Sequence, residues 1–223
     1  MKSLKHFAIF SHGFGVRKDA RGIFTDIASV LPGIEPVMFD YNEINETENI
    51  ITITPLRRQA EMLKEILRGV KESAPDAIVD IISHSQGAVA VALATPTEIR
   101  KTIFLAPPVG VSSGRMLAAF RSRPGAEINM EGMSKIPRRD GSITLVPADY
   151  WTDRKNLKPV QLYNTFASHT NLTIIKADHD EVLGEMNFEG LSSDVEMLSL
   201  GGDHNFTGNA RRPMVEAVKG LLS

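Results

Sequence analysis

The feature that most constrains this chain is a repeated unit: a short apolar run that ends in a turn cluster and gives way to residues at helical spacing. The runs are His6 to Phe10, Pro36 to Asp40, Ala77 to Ile82, Lys101 to Leu105, Leu172 to Lys176 and Val195 to Leu200. None alternates strictly between apolar and polar residues, which is the pattern of strands covered on both faces, as in a parallel sheet. Helical spacing marks Arg21 to Val30, Pro55 to Glu72, Gln86 to Ala94 and Arg212 to Leu222. In the second of these, Leu56, Ala60, Leu63, Leu67 and Val70 form one apolar stripe with Arg, Glu and Lys opposite, so the helix lies on the sheet. The repeat predicts an α/β fold class: a doubly wound, mainly parallel sheet of about six strands with right-handed crossovers. Ligands of such sheets bind at the carboxyl ends of the strands.

The regularity stops between Val109 and Thr170, a stretch rich in Gly, Pro, Ser and Arg. One hairpin is expected there, Ser142 to Pro147 paired with Tyr150 to Asp153. The expected organisation is a core of residues 1–108 and 169–223, with 109–168 inserted as a lid or cap over the carboxyl edge of the sheet. Basic residues outnumber acidic ones in the insertion, although the whole chain carries a net charge of -2. Its arginines, Arg115, Arg121, Arg123, Arg138 and Arg139, leave two readings open, attraction of an anionic substrate and, as scattered arginines usually mean, a solvated face. The near-balanced total gives no sign of nucleic acid or an acidic membrane as partner. No window approaches the roughly 18 apolar residues of a membrane helix. The stretch Phe7 to Phe10 behind Lys2 and Lys5 is too short for a signal peptide and reads as a strand. The lack of Cys removes disulfides, iron–sulfur clusters and thiol nucleophiles, and favours a cytoplasmic location. Nothing in the sequence fixes an oligomeric state.

The residues that can do chemistry gather at the ends of the apolar runs. The third run breaks into Ser83-His84-Ser85-Gln86-Gly87. A Ser flanked at two residues' distance by small residues, at a strand-to-helix junction, is the pattern of a nucleophile elbow; Ser83 stands where the usual G-x-S-x-G has Gly. The first run ends in Ser11-His12-Gly13-Phe14-Gly15. A tetrahedral intermediate needs two backbone N–H donors, from the residue after the nucleophile and from the loop after an early strand. Gln86 and Phe14 hold those places. His12 either bonds its own turn or contacts substrate. After the fifth run comes Ala177-Asp178-His179-Asp180-Glu181, where Asp180 is best placed in the turn, Asp178 second, and Glu181 points to solvent. The sixth ends in Gly201-Gly202-Asp203-His204, and His204 supplies a base of near-neutral pKa. Asp203 reads as a turn or cap residue. In the insertion, Tyr150 and Trp151 offer apolar surface to a substrate. Asp178, His179, Asp180, Asp203 and His204 lack the spacing of known metal sites, so neither metal nor other cofactor is expected.

Ser, then Asp, then His, each directly after a separate strand and downstream of a His-Gly-Phe-Gly loop, resembles the α/β-hydrolase superfamily over nearly the whole chain. The resemblance implies a minimal core without the first antiparallel strands, and a lid where residues 109–168 fall. It also implies Ser85 as nucleophile, Asp180 as acid and His204 as base, with Ala177 standing where the family usually has Gly. The implied reaction is hydrolysis of a small-molecule carboxylic ester. A ligand-binding or sensor module with little turnover is an alternative, as is an acyltransferase or thioesterase using the same three side chains.

Overall fold

The computed structural model describes residues 4–110 and 113–223. Six strands, β1 (His6–Ser11), β2 (Glu35–Met38), β5 (Ile78–His84), β6 (Lys101–Leu105), β9 (Asn171–Ala177) and β10 (Glu196–Leu200), form one sheet. Its order is β2-β1-β5-β6-β9-β10, and every pairing in it is parallel. The chain starts inside the sheet at β1, runs outward to β2, then returns past β1 to β5 and on to the other edge. The order therefore reverses between β1 and β5, and a crevice opens outside their carboxyl ends.

Both faces of the sheet are apolar because both are covered. Phe7, Ile9, Val79, Ile81, Phe104 and Ile174 pack on one side against α2 (Leu56–Ser73), α3 (Gly87–Ala94) and α6 (Pro159–Ala167). Ala8, Phe10, Ile82, Ile103, Leu105 and Ile175 pack on the other against α1 (Ile23–Ser29) and α7 (Arg211–Leu222). The two sets interleave at every second residue, so each strand reads as a continuous apolar run. Asp80 interrupts the run in β5 at the amino end of the sheet. Its carboxylate accepts from Arg100 Nε at 3.0 Å and from the Lys101 N–H at 3.1 Å, and lies 2.7 Å from His6 Nε2. Pairing makes its burial tolerable and keeps it away from the crevice. Among the described residues no helix is long and apolar enough to cross a membrane.

The expected hairpin of the 109–168 segment is corrected by the structure. Strand β8 (Ile143–Val146) pairs backward with β7 (Ser134–Pro137), not forward with Tyr150 to Asp153. Pro147 ends β8 and precedes α5 (Ala148–Lys155), with Asp149 in its first turn at the positive end of the helix dipole. Strand β8 also pairs in parallel with β4 (Ile50–Thr52), which is antiparallel to β3 (Glu43–Asn45), making a second sheet of order β3-β4-β8-β7. Helix α6 belongs to the core layer, where Phe166 stacks on Phe104 of β6 with ring centroids 5.9 Å apart. Helix α4 (Ser113–Arg121), the α5 aromatics and the second sheet enclose a cluster of their own: Leu117, Phe120, Ile136, Val146, Tyr150 and Trp151 against Ile51, Ile53, Leu56 and Val89 of the core. The side chain of Arg115 lies outside the described residues.

Candidate active site

Strand β5 ends at His84 and α3 begins at Gly87, leaving two residues to turn the chain. Ser85 takes φ 54°, a left-handed conformation that costs a non-glycine residue of order 1 kcal/mol. The turn is held because the Ser85 N–H continues the β5–β6 ladder to Leu105 O at 2.8 Å, and Ser85 O accepts from the Ala88 N–H at 3.1 Å. Gly13 of the loop after β1 is in close contact: a Cβ there would stand 3.1 Å from Ser85 Cβ. Ser83, in the place of the usual elbow glycine, is fully buried, and its hydroxyl has no partner among the described residues. Ser83→Ala is therefore expected to stabilise the fold by about 1 kcal/mol, because a buried hydroxyl without a partner is a net cost. A urea midpoint below that of the wild type would contradict it.

Three side chains from three strand ends meet above this turn. His204 Nε2 lies 2.9 Å from Ser85 Oγ, and His204 Nδ1 lies 2.6 Å from Asp180 Oδ2. With Asp180 accepting the Nδ1 proton, the Nε2 lone pair faces the serine hydroxyl. The other carboxylate oxygen, Asp180 Oδ1, accepts the N–H groups of Val182 at 3.0 Å and Leu183 at 2.7 Å, so the carboxylate has no freedom to rotate. Asp178, the second choice, bonds Ser199 Oγ instead and is exposed. Asp203 caps the following turn through the Thr207 N–H at 2.7 Å. Glu181, read as facing solvent, also accepts the His204 N–H at 3.0 Å.

His84 is a residue that the sequence reading missed. Its Nε2 donates to His204 O at 2.9 Å, so the loop carrying His204 is pinned from both sides. Burial first, and the neighbouring His204 imidazole second, push its pKa down to about 3. A neutral His84 is thus built into the folded state, whereas the unfolded chain takes up a proton near pH 6.5. Stability is full above pH ~6.5 and falls as pH drops toward 3, by up to about 1.4 kcal/mol per pH unit from this group. His12, whose pKa is also lowered by burial, acts in the same direction. Urea midpoints at about pH 7.5 and about pH 5 check this: the wild type is expected to lose stability and His84→Asn to lose less, whereas equal midpoints in the wild type would refute it.

The remaining sequence candidates divide. Phe14 and Gln86 line the cavity beside Ser85, and among the described residues neither backbone N–H has an acceptor. His12, Tyr150 and Trp151, read as substrate contacts, do not line it. His12 Nδ1 donates to Gly13 O at 2.9 Å while Nε2 accepts the Tyr41 N–H at 2.9 Å, so the imidazole shapes its own loop. Trp151 Nε1 donates to Ser134 Oγ at 3.1 Å, deep in the α5 cluster. Tyr150 donates its hydroxyl to Gln86 Oε1 at 2.5 Å and packs against Phe14 with ring centroids 5.4 Å apart, so it supports both N–H-bearing residues from behind. The cavity itself measures about 570 Å³, and Leu56, Val89, Met116, Phe120 and Met186 supply its apolar walls.

A parallel doubly wound sheet, with Ser, His and Asp meeting at strand ends in the order Ser–Asp–His along the chain, defines the α/β-hydrolase fold. The chain has that fold. Among solved structures, Est1E from Butyrivibrio proteoclasticus with bound ferulic acid superimposes with a TM-score of 0.73 at 17% identity, over 98% of this chain and 88% of that one. The esterase domain of a Rhodothermus marinus protein gives 0.67 at 19% identity, over 99% and 87%. An alpha-beta serine hydrolase homologue from Coxiella burnetii gives 0.64 at 18% identity, over 100% and 88%. No family model and no curated protein matches the sequence.

Proposed function

We propose that this chain is a serine hydrolase that cleaves carboxylic esters through an acyl-enzyme on Ser85. The observation that carries the reading is the unbroken series from Ser85 Oγ through the His204 imidazole to Asp180, at 2.9 and 2.6 Å. Nε2 takes the hydroxyl proton as Oγ attacks the ester carbonyl, and the Asp180 carboxylate stabilises the imidazolium. The carbonyl π pair moves onto oxygen, where the N–H groups of Phe14 and Gln86 receive the charge. Collapse expels the alkoxide, which takes the proton from Nε2 and leaves as alcohol. Water then gives its proton to Nε2, attacks the acyl carbon and releases the acid, and Ser85 recovers its proton. Every step uses side chains and backbone N–H groups of this chain, with water. The esterases named among the solved structures share the fold, which supports an ester over other acyl bonds.

A fluorophosphonate probe tests the reading. It is expected to add once per chain, with the modified peptide carrying Ser85, in parallel with loss of p-nitrophenyl butyrate hydrolysis. A chain that turns over the ester yet is labelled at another residue, or that remains unlabelled and inactive, refutes it.

A further inference from the structure

Among the described residues, the cavity above Ser85 is lined by four arginines, Arg21, Arg123, Arg138 and Arg154, against a single carboxylate, Glu185. Five arginines elsewhere hold carboxylates, Arg17 with Glu46, Arg57 with Asp153, Arg58 with Glu65, Arg100 with Asp80 and Arg211 with Asp26, whereas Arg68, Arg121, Arg139 and Arg212, with none among the described residues, are exposed to water. Among the described residues none of the four in the cavity has such a partner. Asp140, on the β7–β8 turn, is engaged by Ser142 Oγ at 2.6 Å and the Ser142 N–H at 3.1 Å. Arg138 donates to Thr144 Oγ1 at 3.3 Å, Arg123 to Pro137 O at 3.3 Å, and Arg154 to Tyr150 Oη at 3.0 Å, while Arg154 Nε is buried with no acceptor at all. A guanidinium has five N–H donors, so among the described residues most of this donor capacity is left without an acceptor.

The arrangement is unfavourable unless an anion enters. The pKa of Arg138 is lowered by burial first and by Arg21 next, and that of Arg123 by burial, Arg139 and Arg21. Like charges are thus crowded together in a partly dry site. Their position relative to the reacting centre is also set. Arg138 Nη1 lies 2.5 Å from where a Cβ on Gly15 would stand, and Gly13, two residues earlier on the same loop, touches Ser85. Gly15 has φ 60°, a conformation that favours glycine.

We propose that the substrate is an ester bearing an oxyanionic group, a carboxylate being the simplest case, which the Arg21, Arg123 and Arg138 guanidiniums bind while the ester carbonyl rests on Ser85. The inference rests on the hydrolase reading and adds the substrate class to it. Planar guanidiniums suit bidentate contacts to a carboxylate, and a wall of several of them confers specificity that Phe120 and Met116 cannot. The apolar walls then hold the neutral half of the ester.

Two matched pairs test it: mono-p-nitrophenyl glutarate against p-nitrophenyl pentanoate, with the charge on the acyl side, and para-acetoxybenzoate against phenyl acetate, with the charge on the alcohol side. In at least one pair kcat/KM is expected to favour the charged ester about tenfold, with the preference shrinking as salt rises. Arg138→Gln and Arg123→Gln are each expected to lower that charged-to-neutral ratio about tenfold. The ratio does not depend on how much of a variant is folded. Arg121→Gln removes the same charge from an exposed position outside the cavity and is expected to keep the ratio. Ratios near one for both pairs, or a preference unchanged by Arg138→Gln and Arg123→Gln, overturn the proposal. Calorimetric binding of the same esters to Ser85→Ala separates the two readings. If the wild type hydrolyses nothing while Ser85→Ala still binds the charged ester over the neutral one, hydrolysis falls and the anion site stands.

Discussion

Ser85→Ala is expected to lower ester turnover by roughly 10⁵-fold or more while the fold stays intact. The hydroxyl is the only part of Ser85 that this substitution removes, and the backbone bonds to Leu105 and from Ala88 do not involve it. Alanine meets the same φ 54° strain as serine, so stability is expected to change by less than about 1 kcal/mol. His204→Ala is expected to cost a similar factor, and the double variant no more than either single one, because the proton transfer needs both groups together. On the proposed mechanism, what is expected to survive is the binding and polarisation supplied by the cavity and the Phe14 and Gln86 N–H groups. Steady-state rates on p-nitrophenyl butyrate measure all three variants. Losses that multiply in the double variant would show that Ser85 and His204 do not act as one unit.

Gly87→Ala carries the largest expected effect on stability. A Cβ at that position would stand 2.1 Å from Ser11 O and 2.8 Å from His12 O. Both are backbone atoms, and neither can withdraw cheaply: Ser11 ends a strand held between β2 and β5, and its hydroxyl bonds Gly87 O at 3.0 Å. Either α3 lifts off the sheet or β1 shifts, at a cost of about 3 kcal/mol or more, which for a chain of this size lowers Tm by roughly 10 °C. The same movement displaces Ser85 from His204, so activity falls too. Gly69→Ala is the contrasting case. It lies within α2 with nothing within 4 Å of its Cβ position, and there alanine is expected to raise stability by about 0.5–1 kcal/mol. Thermal unfolding of the two variants checks the pair; a Gly87→Ala Tm close to wild type would mean that α3 is not packed as tightly as described.

The main sheet was legible because a strand covered on both faces leaves an unbroken apolar run, and six such runs stand out between helical stripes. The positions of Ser85, Asp180 and His204 followed, since each lies directly where a run ends and a turn begins. The second sheet did not show, because β3, β4, β7 and β8 are three or four residues long, too short for a period of two to be read. Tyr150 and Trp151 have strand propensity, but Pro147 and Asp149 favour a helix start and the aromatics bury equally well on a helix. Asp180 could be ranked above Asp178 by turn position, whereas its two backbone N–H bonds could not be foreseen. The arginines of the 109–168 segment could be read both as attracting an anion and as a solvated face, because their convergence involves Arg21 and Arg154 as well as Arg123 and Arg138, and only the folded chain brings these four together. His84 was overlooked because a histidine beside a nucleophile reads as the variable residue of the motif.

The parallel pairing of β4 with β8 joins residues 50–52 to 143–145, with the Ile53 N–H bonding Leu145 O at 2.8 Å and the Ile143 N–H bonding Asn49 O at 3.0 Å. An excised version that skipped the segment between β6 and β9 would leave β4 with a naked edge and strip the cover from Ile51, Ile53 and Leu56, a ready template for sticking to other chains. The segment between β6 and β9 is thus woven into the rest of the fold. It cannot be transplanted between relatives as a cassette unless the β3–β4 hairpin travels with it.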